Sequence, residues 1–385
     1  MEENSNIIIK IENPAYGGYG VGKHDGKVFF VDCAIPGDTV KVEVYGEHSN
    51  YSIARVSEII ESSPLRTAPP CPFFSLCGGC AYQNISYETE LSFKKALIIE
   101  QLNRVAGLAG SDIPVIEIIS GERYRYRSHT RFNTSGYKKG FYKKGTNELV
   151  EFPAAGCLLL ADEINDTISK LRIPDGEKEI KVAMDCHGKT HVSYGNSKKL
   201  LIEEKEKDIT FLRDISGFFQ ANRFLRSSMI DKVMEFCNLK TGSEFLDICS
   251  GCGFFSLPLA AASGRGYGFD IDSGSIKFAR KNAAINKLDN VKFYNLPESE
   301  IRPDLYNPQS VVVDPPRCGL SKKGRKTLNA VKPESIVYVS CNPSTFSRDL
   351  RDFIKNGYRL EQLVFIDMFP CTYHIELISL ITNQM

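Results

Sequence analysis

Residues 245 to 253, Phe-Leu-Asp-Ile-Cys-Ser-Gly-Cys-Gly, run from an apolar strand through a glycine turn into the apolar helical stretch Phe254 to Ala262. A strand that breaks on glycines and resumes as a helix makes a nucleotide cradle. The backbone can approach a ligand there, and the first helical N–H groups are free. Roughly twenty residues after Asp247, Gly268-Phe269-Asp270 ends a second apolar strand on a carboxylate suited to a ribose diol. Taken alone, a Gly-x-Gly is equally a tight turn. Together with Asp270 and the strand Val311-Val312-Val313-Asp314-Pro315-Pro316, the alternation of strand and helix predicts an α/β, doubly wound, mainly parallel sheet that holds a nucleotide-type cofactor.

A nucleophile and a base lie further along. The short apolar strand Ile336 to Val339 runs into Ser340-Cys341-Asn342-Pro343, where Asn342 is a good N-cap and Pro343 suits the first helical position. Cys341 then feels the positive end of the helix dipole, which is expected to draw its thiol below the ordinary value of about 8.5. Asp367-Met368-Phe369-Pro370-Cys371-Thr372-Tyr373-His374-Ile375-Glu376 places a carboxylate on a strand that stays apolar through Leu380. The bland alternatives are a buried strand-end cysteine and a solvated strand carboxylate.

Cys71, Cys77 and Cys80 form C-x5-C-x2-C around Pro72 and Gly78-Gly79, a loop in which several thiolates can point inward. A fourth ligand must come from elsewhere. Zinc sites more often use two close pairs, whereas three clustered thiolates plus a distant one suit a [4Fe-4S] cluster. Zinc, and ordinary buried cysteines, remain the alternatives. The first gap, of five residues, also differs from the spacing of radical enzymes.

Lys plus Arg number 48 against 47 Asp plus Glu, so overall charge predicts no polyanionic partner. The local distribution does. Arg123, Arg125, Arg127, Arg131, Lys138, Lys139, Lys143 and Lys144 interleave with Tyr124, Tyr126, Phe132, Tyr137, Phe141 and Tyr142. Such alternation suits a strand with cations on one face and stacking rings on the other, a surface for single-stranded RNA; the alternative is a two-faced strand whose tyrosines pack in the core. There is no secretory apolar region and no run able to span a bilayer, so a cytoplasmic location and no membrane partner are expected.

Three regions are expected. Residues 1–62 read as short strands (Ile7 to Ile11, Val28 to Asp32, Thr39 to Tyr45, Ser52 to Ile59) broken by Gly17-Gly18-Tyr19-Gly20 and Pro36-Gly37-Asp38, the pattern of a small β-barrel. Residues 63–205 begin with a proline-rich linker and a helix over Glu88 to Val105, then turn β-rich through Gly140 to Phe152 and Ile180 to Tyr194. Residues 206–385 open on a helix over Phe224 to Phe236 and continue as the cofactor-binding sheet.

Assembled, these motifs resemble the methyltransferases that make 5-methyluridine in RNA from S-adenosylmethionine. Asp-x-x-x-Gly-x-Gly, Asp-Pro-Pro-Arg, Ser-Cys-Asn-Pro, Asp-Met-Phe-Pro-x-Thr-x-His-x-Glu and the earlier Phe218-Phe219-Gln220-Ala221-Asn222 occur in the family's order, over nearly the whole chain. The resemblance implies a Rossmann-like methyltransferase domain preceded by an OB-like barrel similar to a TRAM domain, which would contact RNA, and a central iron–sulfur domain. It implies a thiolate at Cys341 that adds to uracil C6, and a base at Glu376 that removes the C5 proton. Gln220, the backbone at Cys249 and Gly251, Asp270 and Asp314 would border the cofactor. Asp314 would also meet the uracil edge, with Phe218 stacking on the base. Cys157, after Phe152-Pro153-Ala154-Ala155-Gly156, becomes the fourth ligand of a [4Fe-4S] cluster with Cys71, Cys77 and Cys80. Members with both barrel and cluster act mostly on large-subunit ribosomal RNA, so 23S rRNA is the expected substrate, tRNA the alternative, and a monomer the expected state. Phe254 departs from the polar residue common after the second glycine, and Cys371 occupies a variable slot. Two rivals stand beside this reading: a cytosine-5 RNA methyltransferase using Cys318, and a catalytically silent RNA-binding protein.

Overall fold

The carboxy-terminal sheet dictates where everything else sits. In the computed structural model, which describes residues 7–195, 199–262 and 264–384, eight strands lie in the order Val291–Asn295, Arg265–Asp270, Glu244–Ile248, Ser310–Val313, Ser335–Ser340, Glu376–Asn383, Tyr358–Ile366 and Ile116–Ile119. The first five pair in parallel, and Glu376–Asn383 runs antiparallel to both of its neighbours. The central strands are buried on both faces, as their runs of Val, Ile, Leu and Phe require. Helices cover each face in two apolar layers, one around Met229, Val233 and Phe255, the other around Leu97, Leu328 and Phe346. The expected α/β, mainly parallel cofactor sheet is therefore present.

The expected central region is not self-contained. Its helix Tyr87–Gln101, capped by Ser86, buries Leu97 and Ile98 against the carboxy-terminal sheet, and Ile116–Ile119 joins the sheet edge parallel to Tyr358–Ile366. The apolar face of that helix packs on the distant sheet together with Leu102 and Ala106 of the turn that follows the helix. The boundary expected near 206 falls in a hairpin, Leu201–Glu206 with Ile209–Asp214. What remains of the central span is a five-stranded antiparallel sheet in which Gly140 to Phe152 and Ile180 to Tyr194 are hairpins, each turning on polar residues.

The six amino-terminal strands include one that the glycine-rich reading missed. Tyr19–His24 pairs with both Asn13–Ala15 and Lys27–Asp32. Its glycines are there for close packing: a Cβ on Gly22 would lie 2.2 Å from the Lys10 carbonyl oxygen. The edge strands Ile7–Lys10 and Asn13–Ala15 are separated only by Ile11 and Glu12, so the sheet must roll to bring its edges together.

The stretch from Arg123 to Lys144 is not the open cationic strand expected from its alternation. Residues Arg123 to Arg127 lie outside the strands, and several of the cations are used internally, while Arg131 and Lys138 stay exposed and pair with Glu179 and Glu151. Arg123 bonds the Tyr82 and Ile85 carbonyls and Glu90; Arg125 pairs with Asp162; Lys139 bonds the Ile168 and Leu171 carbonyls; Lys144 pairs with Asp32. Charged groups that half-bury must find partners, and here backbone carbonyls and carboxylates supply them.

Candidate active site and cysteine pocket

Three neighbouring strands deliver three acidic groups to one edge of the sheet. Cys341 follows Ser335–Ser340, and Asn342 and Pro343 start the next helix as their residue types foretell, the Asn342 carboxamide oxygen accepting from the Ser344 N–H at 3.1 Å. Glu376 opens its strand, and the pairing Ser340 with Leu377 sets Cys341 opposite Glu376. Asp314 follows Ser310–Val313, whose parallel pairing with the cysteine's strand brings it alongside. The edge where parallel strands end is where ligands bind in such sheets.

The electrostatics reverse the expected thiol activation. Burial, then Glu376 and Asp314, push the Cys341 thiol up to about 12, against the opposing charge of Arg317. The helix start is overridden chiefly by burial of the thiol, with Glu376 and Asp314 adding to it. Burial likewise holds Glu376 well above the carboxylate range, with Asp314 adding to it, and burial with Asp270 lifts Asp314 to about 7.

Arg317, quoted in its motif but given no role from sequence, organises this pocket. Its carbonyl accepts from Asn342 Nδ2 at 3.1 Å and Thr345 Oγ1 at 3.0 Å, tying the Asp-Pro-Pro-Arg loop to the helix that follows Cys341. Its guanidinium lies 3.3 Å from His374 Nδ1. Burial first, then Arg317, push His374 down to about 4, so its ring is neutral.

Beside this pocket lies the glycine cradle. Cys249 and Gly251 take positive φ of 64° and 53°, and a Cβ on Gly251 would meet nothing within 4 Å, so the backbone there faces open space. Asp270 ends its strand and accepts from the Gly251 N–H at 2.9 Å. Asp247 is fully buried and pushed up to about 7 by burial; Ser256 satisfies one of its oxygens, while the other, and Ser250 Oγ, have no hydrogen-bond partner among the described residues. Unpartnered buried acceptors are what a cationic cofactor with an amino group would satisfy, so the cradle fits S-adenosylmethionine. Sequence reasoning quoted Asp247 without assigning it; its place nine residues before Ser256 was the available signal. Gln220 is buried, Phe218 is 75% exposed, and Phe254 packs against Phe211, Phe219 and Phe255, which accounts for the missing polar side chain. Asn222 Nδ2 donates to the Met368 carbonyl at 3.2 Å, joining the Phe218 segment to the loop before Glu376.

Cys71, Cys77, Cys80 and Cys157 are free thiols lining one cavity of about 280 Å³, walled by Phe141, Phe152 and Arg127. Gln83 accepts from the Cys71 N–H and donates to Cys80 Sγ at 3.1 Å. Four sulfurs around one zinc ion, at Zn–S of about 2.3 Å, would stand about 3.8 Å apart. Among the described residues, a trio of ligand atoms within 4.8 Å of one another occurs only at the exposed Cys186, His187 and Glu203, so the four thiols are spread wider than one ion requires. The same segment meets the active site: the Ala81 and Tyr82 N–H groups both donate to the Cys371 carbonyl, at 2.7 and 3.1 Å. Cys371 itself is buried at φ +64° and plays its part through that carbonyl. Cys318 is exposed at a turn, its thiol directed to the Gly319 carbonyl.

The sheet and its pocket define a methyltransferase fold. The archaeal tRNA (uracil-54, C5)-methyltransferase of Pyrococcus abyssi, solved with S-adenosyl-L-homocysteine, superposes with a TM-score of 0.76 at 25% identity, covering 98% of this chain and 100% of that one. Residues 194–384 match the tRNA (Uracil-5-)-methyltransferase family model, and residues 2–57 match the TRAM domain. An RNA methyltransferase of Aquifex aeolicus, of uncharacterised specificity, is 32% identical over 97% of this chain and 98% of its own length. The 23S rRNA (uracil(1939)-C(5))-methyltransferase RlmD of Shewanella amazonensis is 29% identical over 96% of this chain and 94% of its own. This chain belongs to the RNA uracil-5 methyltransferase family, enzymes that methylate with S-adenosylmethionine, and carries a TRAM domain at its amino terminus. No helix among the described residues is long and apolar enough to cross a membrane.

Proposed function

We propose that this enzyme methylates a uridine of 23S rRNA through a covalent adduct at Cys341. The observation that carries the reading is the placement of Cys341 opposite Glu376 with Asp314 on the adjoining strand. Uracil C5 is too weak a nucleophile to take a methyl group unaided. Addition of the Cys341 sulfur to C6 moves the ring electrons onto the C4 oxygen as an enolate, and C5 becomes nucleophilic. S-adenosylmethionine, when bound, supplies the methyl group and a cationic sulfonium. Its positive charge, once bound, would favour the ionised forms of Cys341 and Glu376, which burial otherwise holds protonated. Glu376 then takes the C5 proton, and the C6–S bond breaks. Asp314 meets the uracil edge, and the exposed Phe218 stacks on the flipped base.

Gln220, Cys249, Gly251 and Asp270 line the cofactor, with Asp247 added to them. The four-thiol cavity holds a [4Fe-4S] cluster; the spread of its four sulfurs favours that over a single zinc ion. The cytosine-5 reading through Cys318 loses its support, since that thiol is exposed at a turn rather than opposite Glu376. The substrate choice rests on the 29% identity to the Shewanella enzyme against 25% to the Pyrococcus abyssi tRNA enzyme, both matched over nearly the whole chain.

The test is to map 5-methyluridine by mass spectrometry in RNA from a strain lacking the protein. Loss of one or two sites from 23S rRNA, with the tRNA T-loop unchanged, is the expected result. Loss confined to the T-loop overturns the assignment.

A further inference from the structure

The TRAM domain enters the active site through one tight loop. Gly17 and Gly18 take positive φ of 93° and 77°, and a Cβ on Gly18 would lie 2.5 Å from Ala81 Cβ and 3.6 Å from Tyr373 Cβ. The loop thus lies flush on both the cysteine segment and the catalytic loop, an approach that glycine alone permits. Lys144 locks it there: its ammonium donates to the Gly17 carbonyl at 3.1 Å and lies 3.7 Å from the Tyr19 ring centroid.

That clamp fixes Tyr16. Its ring stands edge-to-face on Tyr373, centroids 5.8 Å apart, and Tyr373 in turn lies 4.3 Å from the His374 ring that meets Arg317. Tyr16 keeps 38% of its surface exposed. Tyr373 lies three residues before Glu376, so the pair of rings joins the amino-terminal loop to the segment that delivers the proposed base. An aromatic ring anchored by one edge and open on the other side is a platform for a flat ligand. The flat ligand this pocket admits is a nucleobase, and flipping one uridine out of its stack leaves its neighbour without a stacking partner.

We propose that Tyr16 is a substrate-binding residue, the stacking platform for the nucleotide flanking the target uridine, so that the TRAM domain forms part of the active-site wall. This rests on the reading of an RNA uridine as substrate, which wild-type methylation in the same assay tests separately. The probe is a transcript fragment spanning the uridine mapped above. Tyr16→Ala should raise the KM for that RNA about tenfold, the scale of one lost base–aromatic stack, with kcat and the KM for S-adenosylmethionine within about twofold of wild type. Tyr16→Phe should restore the RNA KM, because stacking needs the ring and not the hydroxyl. With the flanking base replaced by an abasic site, wild type and Tyr16→Ala should become indistinguishable. A second measurement needs no variant: 2-aminopurine at the flanking position should be quenched when wild-type protein binds. An unchanged KM in Tyr16→Ala, failure of Phe to rescue, or persistence of the Ala effect on abasic RNA each overturns the proposal.

Discussion

Lys94 Nζ lies 2.8 Å from Asp367 Oδ1, a contact across 273 residues that joins the helix before the central sheet to the start of the catalytic loop. Lys94 also reaches Glu90 Oε1 at 2.8 Å and the Phe369 carbonyl at 3.2 Å, and Glu90 accepts the Cys371 N–H at 2.7 Å. All three charged side chains are fully buried. Burial alone would discharge Lys94, but Glu90 and Asp367 outweigh it and keep the ammonium charged. The loop that carries Glu376 is therefore held by an ion cluster remote from it in sequence.

Lys94→Met should be strongly destabilising, because it leaves the buried Asp367 without its cation and Glu90 with Arg123 alone; breaking one partner of a buried pair typically costs about 3–5 kcal/mol. Thermal and urea unfolding measure it. A loss below about 1 kcal/mol, the range of an exposed ion pair, would show that the cluster is solvated.

Cys341→Ala should abolish methyl transfer while S-adenosylmethionine still binds, since the thiol acts on the base alone. Glu376→Gln should instead trap a methylated RNA adduct that survives a denaturing gel, because the C5 proton has no acceptor and elimination stalls. Cys318→Ala should leave the adduct intact. An adduct lost in Cys318→Ala and kept in Cys341→Ala would reverse the assignment of the nucleophile.

The raised carboxyl groups fix the direction of two pH effects. Asp247 and Asp314 are pushed up to about 7 by burial, whereas an unfolded Asp titrates near ~3.9. In that window the folded protein holds more protons than the unfolded chain, so the stability these groups contribute is full below pH ~3.9 and is lost as pH rises through about 7. Asp314→Asn should flatten that slope, and the difference between its melting curves and those of wild type isolates the effect from other titrations. Activity should move the opposite way, since thiolate and carboxylate forms are needed: kcat/KM should climb from pH 6 to 8. Equal pH slopes of melting temperature in wild type and Asp314→Asn would refute the burial argument.

Much of this site was legible because its signals are local. Asn342 and Pro343 announce the helix after Cys341, and the glycines after Asp247 announce the cradle, through backbone preferences that neighbours do not alter. The rest depends on partners distant in sequence. Ile116–Ile119 has no local mark of belonging to an edge formed by Tyr358–Ile366, and Tyr19–His24 reads as a break until Lys10 is seen to press on Gly22. The cations after Arg123 look free in sequence because the carbonyls and carboxylates that take them lie up to 127 residues away, as Gly17 does from Lys144. The Cys341 thiol was expected below its ordinary value for the same reason: its helix start is adjacent, while the burial that raises it, with Glu376 and Asp314, is supplied by other strands.

The cysteine pocket yields the last prediction. Protein purified without oxygen should be brown and carry iron and inorganic sulfide in about equal amounts, as a cubane requires. Serine at Cys71, Cys77, Cys80 or Cys157 should lower the iron content. The effect on catalysis should be transmitted by position, because the residues following Cys80 donate two N–H bonds to the Cys371 carbonyl, on the loop that ends at Glu376. Cys80→Ser should thus reduce adduct formation more than S-adenosylmethionine binding, whose cradle lies at Cys249 to Gly251. Gln83→Leu removes the donor to Cys80 Sγ and the acceptor of the Cys71 N–H while leaving all four thiols in place. It should retain iron after anaerobic purification but lose it faster in air, since hydrogen bonds to the ligands tune such a site. Stoichiometric zinc without sulfide in the wild-type protein would refute the cluster.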